Sequence, residues 1–352
     1  NMLSIIPEDW EKPVKKMNYR CAKRIIQLAN TIGKDIDIHA EQNPREDAND
    51  GFIRLFVVQQ HEGINKDEVE QTIMKIMSKD AEDEKWTGID ADVKILTLEH
   101  MMAARRLGFD SFFAPFNKVS KYQMTFLQGT VPEIEFFTKI VLPIAESMKG
   151  DGRVALEILK EYSPLLSKQN TEKPYELYLK CREKAVDVAS MVNENKTIRE
   201  IVKTISDSQL INLPNVVDRA SNLVSDDVKE SDDEELTAWV NTMDLPIEVM
   251  RKYDDYVNHR TRFDTHQGVK GLEFDRVLVI IDDSEAKGFM FSYDKLFGVK
   301  DLSDTDKKNR IDGKETSVER TQRLFYVTCT RAKNSLAVVM YTDNPQGVKN
   351  ES

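Results

Sequence analysis

The residues best equipped for chemistry lie in the last third of the chain. Residues 264–281 read DTHQGVKGLEFDRVLVII, a polar, glycine-containing loop running into an apolar strand. Gly268 and Gly271 carry no side chain, so their backbone amides can approach a phosphate or ribose closely. Glu273 stands where the loop enters the strand, and its carboxylate can accept hydrogen bonds from sugar hydroxyls. A tight turn whose Lys270 and Glu273 merely face water accounts for these residues equally well. Residues 316–340 form the second segment, TSVERTQRLFYVTCTRAKNSLAVVM. Thr316 with Glu319 fits a capping box and marks a helix start. From there Glu319, Arg323, Tyr326 and Thr330 share one face, while Leu324, Phe325 and Val327 supply the buried side. Arg331 falls near the helix end, just before a strand. Its planar fork suits phosphate oxygens, although a cation is favoured at a helix C-terminus for any purpose. In the third segment Asn18-Tyr19-Arg20 precedes an amphipathic helix with Ile25, Leu28, Ala29 and Ile32 on one side. Tyr19 can stack on a base while Arg20 reaches a phosphate; a packed tyrosine and a solvated arginine are the plainer alternative.

The elements that must position these residues follow from periodicity. Apolar, β-branched runs at 52–58, 93–98, 277–281 and 336–341 read as buried strands, and the segments 68–77, 99–107 and 318–333 have helical patterning. Strands alternating with helices predict an α/β domain with a parallel sheet covered on both faces. From 132 to 256 the pattern is helical almost throughout, punctuated by Pro143, Pro164, Pro174, Pro214 and Pro246. The acidic stretch 225–235 (SDDVKESDDEE) reads as a solvated loop or helix start. A mostly α-helical subdomain is therefore expected inside one α/β domain, with boundaries 1–125, 126–258 and 259–352.

Composition narrows the function class. The 352 residues suffice for two domains, and the net charge of −11 argues against a general nucleic-acid coat. The charge is uneven: residues 10–24 hold six basic side chains and one acidic, whereas 221–259 hold eleven acidic and three basic. A DNA track would have to avoid the second stretch. No apolar run approaches the ~18 residues of a membrane span, so no membrane partner is expected. Cys21, Cys181 and Cys329 form no CxxC pair, giving neither a disulfide framework nor zinc spacing. No metal ligands are assigned, and a reduced, cytoplasmic setting is expected.

The three segments together resemble a known family. NYRCAKRIIQLAN (18–30) resembles the motif that opens the second RecA-like domain of UvrD/Rep/PcrA-type superfamily 1 DNA helicases. THQGVKGLEFDRVLV (265–279) is similar to their fifth motif and ERTQRLFYVTCTRA (319–332) to their sixth, in family order, with the helical block between the fourth and fifth. VKILTLEHMMAARRLGF (93–109) resembles the strand and helix before that insertion. The resemblance implies a RecA-like fold and the C-terminal motor portion of an ATP-dependent DNA helicase. It implies that Tyr19 stacks on adenine, Arg20 contacts the γ-phosphate, Glu273 with Gly271 beside it holds the ribose, and Arg331 is the arginine finger. Thr265, His266 and Lys270 would lie in the loop that couples nucleotide state to single-stranded DNA, with His100 lining the same track. The expected partners are single-stranded or partly duplex DNA, an N-terminal RecA-like domain of the same protein, and a protein partner through the helical insertion.

Two departures from the family pattern bear on these roles. The family reads Thr-x-His-x-x-Lys, but counting back from Lys270 puts Gln267 in the histidine's place, so the sequence leaves open whether His266 or Gln267 faces DNA. No GxxxxGK[ST] occurs in the sequence. The phosphate loop, the Mg2+ ligands and the water-activating carboxylate are accordingly expected on a preceding domain, and this chain alone is expected not to hydrolyse ATP. Two rival classes are a non-catalytic helicase-like binding module and a nuclease using Asp282, Asp283, Glu285 and Lys287. Retention of Arg20, Glu273 and Arg331 counts against the first, and the frequency of carboxylates at strand ends counts against the second.

Overall fold

A computed structural model describes residues 16–34, 41–166, 173–224, 226, 228, 233–286 and 290–351. Residues 10–15 of the basic stretch, 225, 227 and 229–232 of the acidic one, and Lys287 lie outside the described residues. The strands are β1 (Met17–Asn18), β2 (Asn43–Pro44), β3 (Phe52–Gln59), β4 (Lys94–Thr97), β5 (Phe263–Thr265), β6 (Phe274–Ile281) and β7 (Ala332–Thr342). β1 pairs with β2 in a two-residue parallel ladder. The others form one all-parallel sheet in the order β3-β7-β6-β4-β5. The RecA-like α/β arrangement expected from the sequence is thus present.

Burial explains the order. β6 and β7 are buried along nearly their whole length, and their Val277–Ile281 and Leu336–Tyr341 runs are continuously apolar. That pattern suits central strands covered by helices on both faces. β3 sits at an edge and is only partly buried. Two elements differ from expectation. The helix expected over 318–333 ends at Cys329, and β7 starts at Ala332, four residues before the apolar run. Lys333 and Asn334 are polar enough to hide this extension, but strand register is set by backbone pairing, here Phe274 opposite Ala332. β5 was not expected at all, because three residues carry no periodic signal.

The chain divides into two compact units, residues 1–103 with 262–352, and residues 104–261. The first holds the sheet. The second is helical, and its core is aromatic: Phe112, Phe113 and Phe116 surround Phe126, which stacks on Tyr253 with ring centroids 4.8 Å apart. Trp239 meets Phe116 edge-on at 4.9 Å. This cluster explains why residues 104–125, placed with the sheet on sequence grounds, fall within the helical unit. Local periodicity reports that a segment is helical, but which core it joins depends on distant partners.

The first turn of the Lys23–Gly33 helix shows how the sheet unit orients its amino-terminal segment. Its unpaired amides find backbone acceptors, Lys23 N on Asn49 O at 3.0 Å and Arg24 N on Asp50 O at 3.0 Å. Ala22 N donates to Lys333 O at 2.7 Å. This close approach requires Gly51, whose φ is +71° and whose Cβ would lie 2.4 Å from Ala22 Cβ and 2.9 Å from Asn334 O. Gly51→Ala is therefore expected to destabilise the sheet unit by about 2–4 kcal/mol, combining left-handed strain with overpacking. Thermal unfolding checks this, and a melting temperature unchanged from the parent would contradict it.

Candidate functional site

Arg20, Glu273 and Arg331 reach one place because the amino ends of β6 and β7 are adjacent. Phe274 N donates to Arg331 O at 2.9 Å, which sets the residue before β6 beside the residue before β7. Arg20 joins them through the neighbouring Ala22–Lys333 bond. Asn18 shapes that approach, since its side-chain oxygen accepts from Arg20 N at 2.8 Å and Cys21 N at 3.0 Å. The result is an open cleft of 620 Å³ lined by Met17, Asn18, Tyr19, Arg20, Gln42, Glu273, Tyr326, Thr330 and Arg331. Its volume falls within the range of small-molecule sites.

The electrostatics of the cleft are unbalanced. Arg20 Nε lies 2.7 Å from Glu273 Oε2, with the two side chains 34% and 48% exposed. An ion pair this accessible contributes at most about 1 kcal/mol, so it exchanges partners easily. Arg331 is held by carbonyls instead, with Nε on Val327 O at 2.9 Å and an Nη on Leu272 O at 3.0 Å. Burial, and then the nearby Arg20 charge, press the Arg331 guanidinium below its usual range, yet an arginine remains a cation at any physiological pH. Burial raises the pKa values of Cys21 and Tyr326, which keeps both neutral. Two cations thus face one carboxylate, and the surplus positive charge makes an anion the natural ligand. Tyr19 is 73% exposed, its ring available for stacking.

Gln42 also lines this cleft, and no motif or spacing in the sequence marks it. Its side chain accepts from Asn18 Nδ2 at 2.7 Å and donates to Tyr326 Oη at 2.9 Å, while Asn30 clasps its backbone amide and carbonyl, both at 2.9 Å. It ties the Tyr19-Arg20 segment to the helix Ser317–Cys329. No spacing rule could have found a glutamine in a loop between a helix and a two-residue strand. Of the face expected on that helix, Tyr326 and Thr330 line the cleft, whereas Glu319 closes the capping box with Thr316 and Arg323 pairs with Glu315.

The residues assigned to DNA lie at or beyond the opposite, carboxyl ends of β4 and β5, and the structure divides them. Gln267 and Lys270 are exposed. Thr265 is buried, and its hydroxyl accepts from Gly268 N at 3.0 Å, so it shapes the loop. His266 is completely buried, with Nδ1 3.0 Å from Tyr293 Oη and Nε2 3.2 Å from Leu96 O. Placement separates the two neighbours: Gln267 is exposed, whereas His266 is a fully buried core residue. His100 opens the helix His100–Leu107 and is half-buried, with burial lowering its pKa. Gly271 has φ +91° with open space around it and turns the loop back towards Glu273.

Each carboxylate of the nuclease reading already holds at least one partner, although Asp283 Oδ1 is buried without one. Lys66 Nζ lies 2.5 Å from Asp282 and 3.2 Å from Glu285, and Asp283 accepts from Ser292 Oγ at 2.8 Å and Asp294 N at 3.0 Å. Among the described residues no three His, Cys, Asp or Glu side chains converge as a metal site. No helix among them is long and apolar enough to cross a membrane.

Burial pushes the His266 pKa down to about 4 from 6.5. Its contribution to stability is therefore whole above pH 6.5 and declines as the pH falls towards 4, because the unfolded chain takes up a proton that the folded one refuses. At its full extent the loss is roughly 3 kcal/mol. The melting temperature should fall from pH 7 to pH 5 by less in His266→Leu than in the parent; equal falls would contradict this account. Residues 111–343, well over half of the chain, match the family model of the UvrD-like helicase C-terminal domain. No curated protein matches the chain.

Proposed function

The chain belongs to the UvrD-like helicase C-terminal domain family, and on that premise we propose that it is the second lobe of an ATP-driven DNA translocase. The observation that carries this reading is the convergence of Tyr19, Arg20, Glu273 and Arg331, from three separate segments, on one open cleft with surplus positive charge. Tyr19 stacks on the adenine of ATP. Arriving phosphates draw Arg20 away from Glu273, which frees that carboxylate to accept from the ribose hydroxyls. Arg331 has five N–H donors, and the two used by Val327 O and Leu272 O fix its direction while the remainder serve phosphate oxygens. As water attacks the γ-phosphorus and the bond to the β–γ bridging oxygen breaks, both guanidinium groups stabilise the charge on the transferring group.

The cleft offers a single carboxylate and no phosphate loop. The Mg2+ ligands, the phosphate loop and the water-activating carboxylate belong, in this reading, to a second RecA-like lobe that closes on this one. Mg2+ would neutralise the phosphate oxygens there. Closure and release of the arginines then shift the grip on single-stranded DNA, which Gln267 and Lys270 contact from their exposed loop. The helical unit, with its eleven acidic and three basic residues over 221–259, is better suited to a protein partner than to the DNA backbone. The three buried free cysteines fit a reduced, cytoplasmic setting.

In the full-length protein, Arg331→Ala should lower DNA-stimulated ATP turnover by about 10³-fold or more. Arg331→Lys should not restore it, because an ammonium lacks the planar fork. A full-length protein that neither binds nor hydrolyses ATP beside single-stranded DNA would refute the motor reading in favour of a binding module. Lys270→Ala should weaken single-stranded DNA binding and reduce the slope of log K against log salt by about 0.7. An unchanged slope, measured by titration at several salt concentrations, would remove Lys270 from the track.

A further inference from the structure

The loop 265–273 leaves β5 at the carboxyl end of the sheet and enters β6 at the amino end, so its backbone already joins the proposed DNA and nucleotide contacts. A second connection runs through the interior. His266 Nε2 lies 3.2 Å from Leu96 O. A carbonyl can only accept, so Nε2 carries the hydrogen, and Nδ1 of the neutral ring accepts from the Tyr293 hydroxyl 3.0 Å away. Both side chains are wholly buried. The Tyr293 ring in turn meets Phe325 edge-on, with centroids 5.7 Å apart and planes at 86°. Phe325 lies on the helix Ser317–Cys329, beside the Tyr326 that lines the cleft and two residues short of Val327, whose carbonyl holds Arg331. The same short segment is pinned to that helix by Ser292 N on Thr321 Oγ1 at 2.9 Å, and to the end of β6 by Asp294 N on Asp283 at 3.0 Å.

We propose that Tyr293 is a positioning residue that couples the DNA-facing loop to the helix Ser317–Cys329, whose end holds Arg331, through its hydroxyl on His266 and its ring against Phe325. The inference rests on the motor reading and deepens it. Packed interiors transmit displacement, because there is no free volume for a buried ring to absorb it. A shift of Gln267 and Lys270 on DNA moves His266, which must either carry Tyr293 along or break a buried hydrogen bond. Tyr293 cannot move without displacing Phe325, and with it the helix end that aims Arg331. Tyr293 touches neither proposed ligand, so its removal should alter communication between the sites and not binding at either.

The test is ATP turnover by the full-length protein with and without single-stranded DNA, alongside the DNA affinity and melting temperature of each variant. Tyr293→Phe keeps the ring against Phe325 and removes only the hydroxyl. It is expected to reduce the stimulation by DNA about fivefold, with unstimulated turnover and DNA affinity unchanged. His266→Leu removes the same bond from the other side, and the double variant should lose no more stimulation than the more affected single one. Full stimulation in Tyr293→Phe, an equal fall with and without DNA, or losses that multiply in the double variant would each overturn the coupling. A parent protein that DNA does not stimulate would instead refute the motor reading itself.

Discussion

The amino end of β7 is the point on which the candidate site depends. Within four consecutive residues, the Arg331 carbonyl accepts from Phe274 N at 2.9 Å, the Lys333 carbonyl accepts from Ala22 N at 2.7 Å, and Asn334 O lies close to Gly51. These backbone contacts bring three distant stretches of chain together and set Glu273, Arg20 and Arg331 side by side. Backbone hydrogen bonds suit this task because their geometry is fixed whatever side chains they carry. Two guanidinium groups repel each other and would separate if each stood on a mobile loop. Here the repulsion is held in place by a sheet whose central strands are buried along nearly their whole length, and the positive charge is left facing an open cleft.

The sheet also separates two kinds of chemistry. Glu273 and Arg331 immediately precede strands, while Thr265 ends one and His266 and His100 follow strands, so the two groups sit at opposite ends of parallel strands. The polar loop 266–273 spans the distance. Its interior residues are anchors: Val269 and His266 are fully buried, and Thr265 holds Gly268. Gln267 and Lys270, among its exposed residues, are thereby carried at a fixed height above the core. A loop with two buried anchors behaves as part of the framework, which is what a connection between the two proposed binding surfaces requires.

The carboxylates beyond β6 illustrate the other side of the same reasoning. Asp282, Asp283 and Glu285 have the composition of a metal centre, but Lys66 and the backbone around Ser292 have absorbed them into the packing at the strand end. Composition alone could not distinguish the two outcomes. The distances do, because a carboxylate oxygen already held by an ammonium group or a buried amide would have to surrender that partner to bind an ion.

By itself the sequence determined the alternation of buried strands and helices, the helical block between two parts of one sheet, the capping box at Thr316 and Glu319, and the three motifs with their charged residues. These are legible because they depend on local spacing: apolar periodicity, a cap three residues from its partner, a glycine next to a carboxylate. Tertiary structure alone decided that Arg20 pairs with Glu273, that Gln42 braces the cleft, that residues 104–125 join the aromatic core of the helical unit, and that His266 is buried while Gln267 faces outward. A histidine and a glutamine at adjacent positions are equally polar in a string of letters. Which one turns inward depends on a carbonyl at Leu96 and a hydroxyl at Tyr293, and only the folded chain brings those within hydrogen-bonding distance.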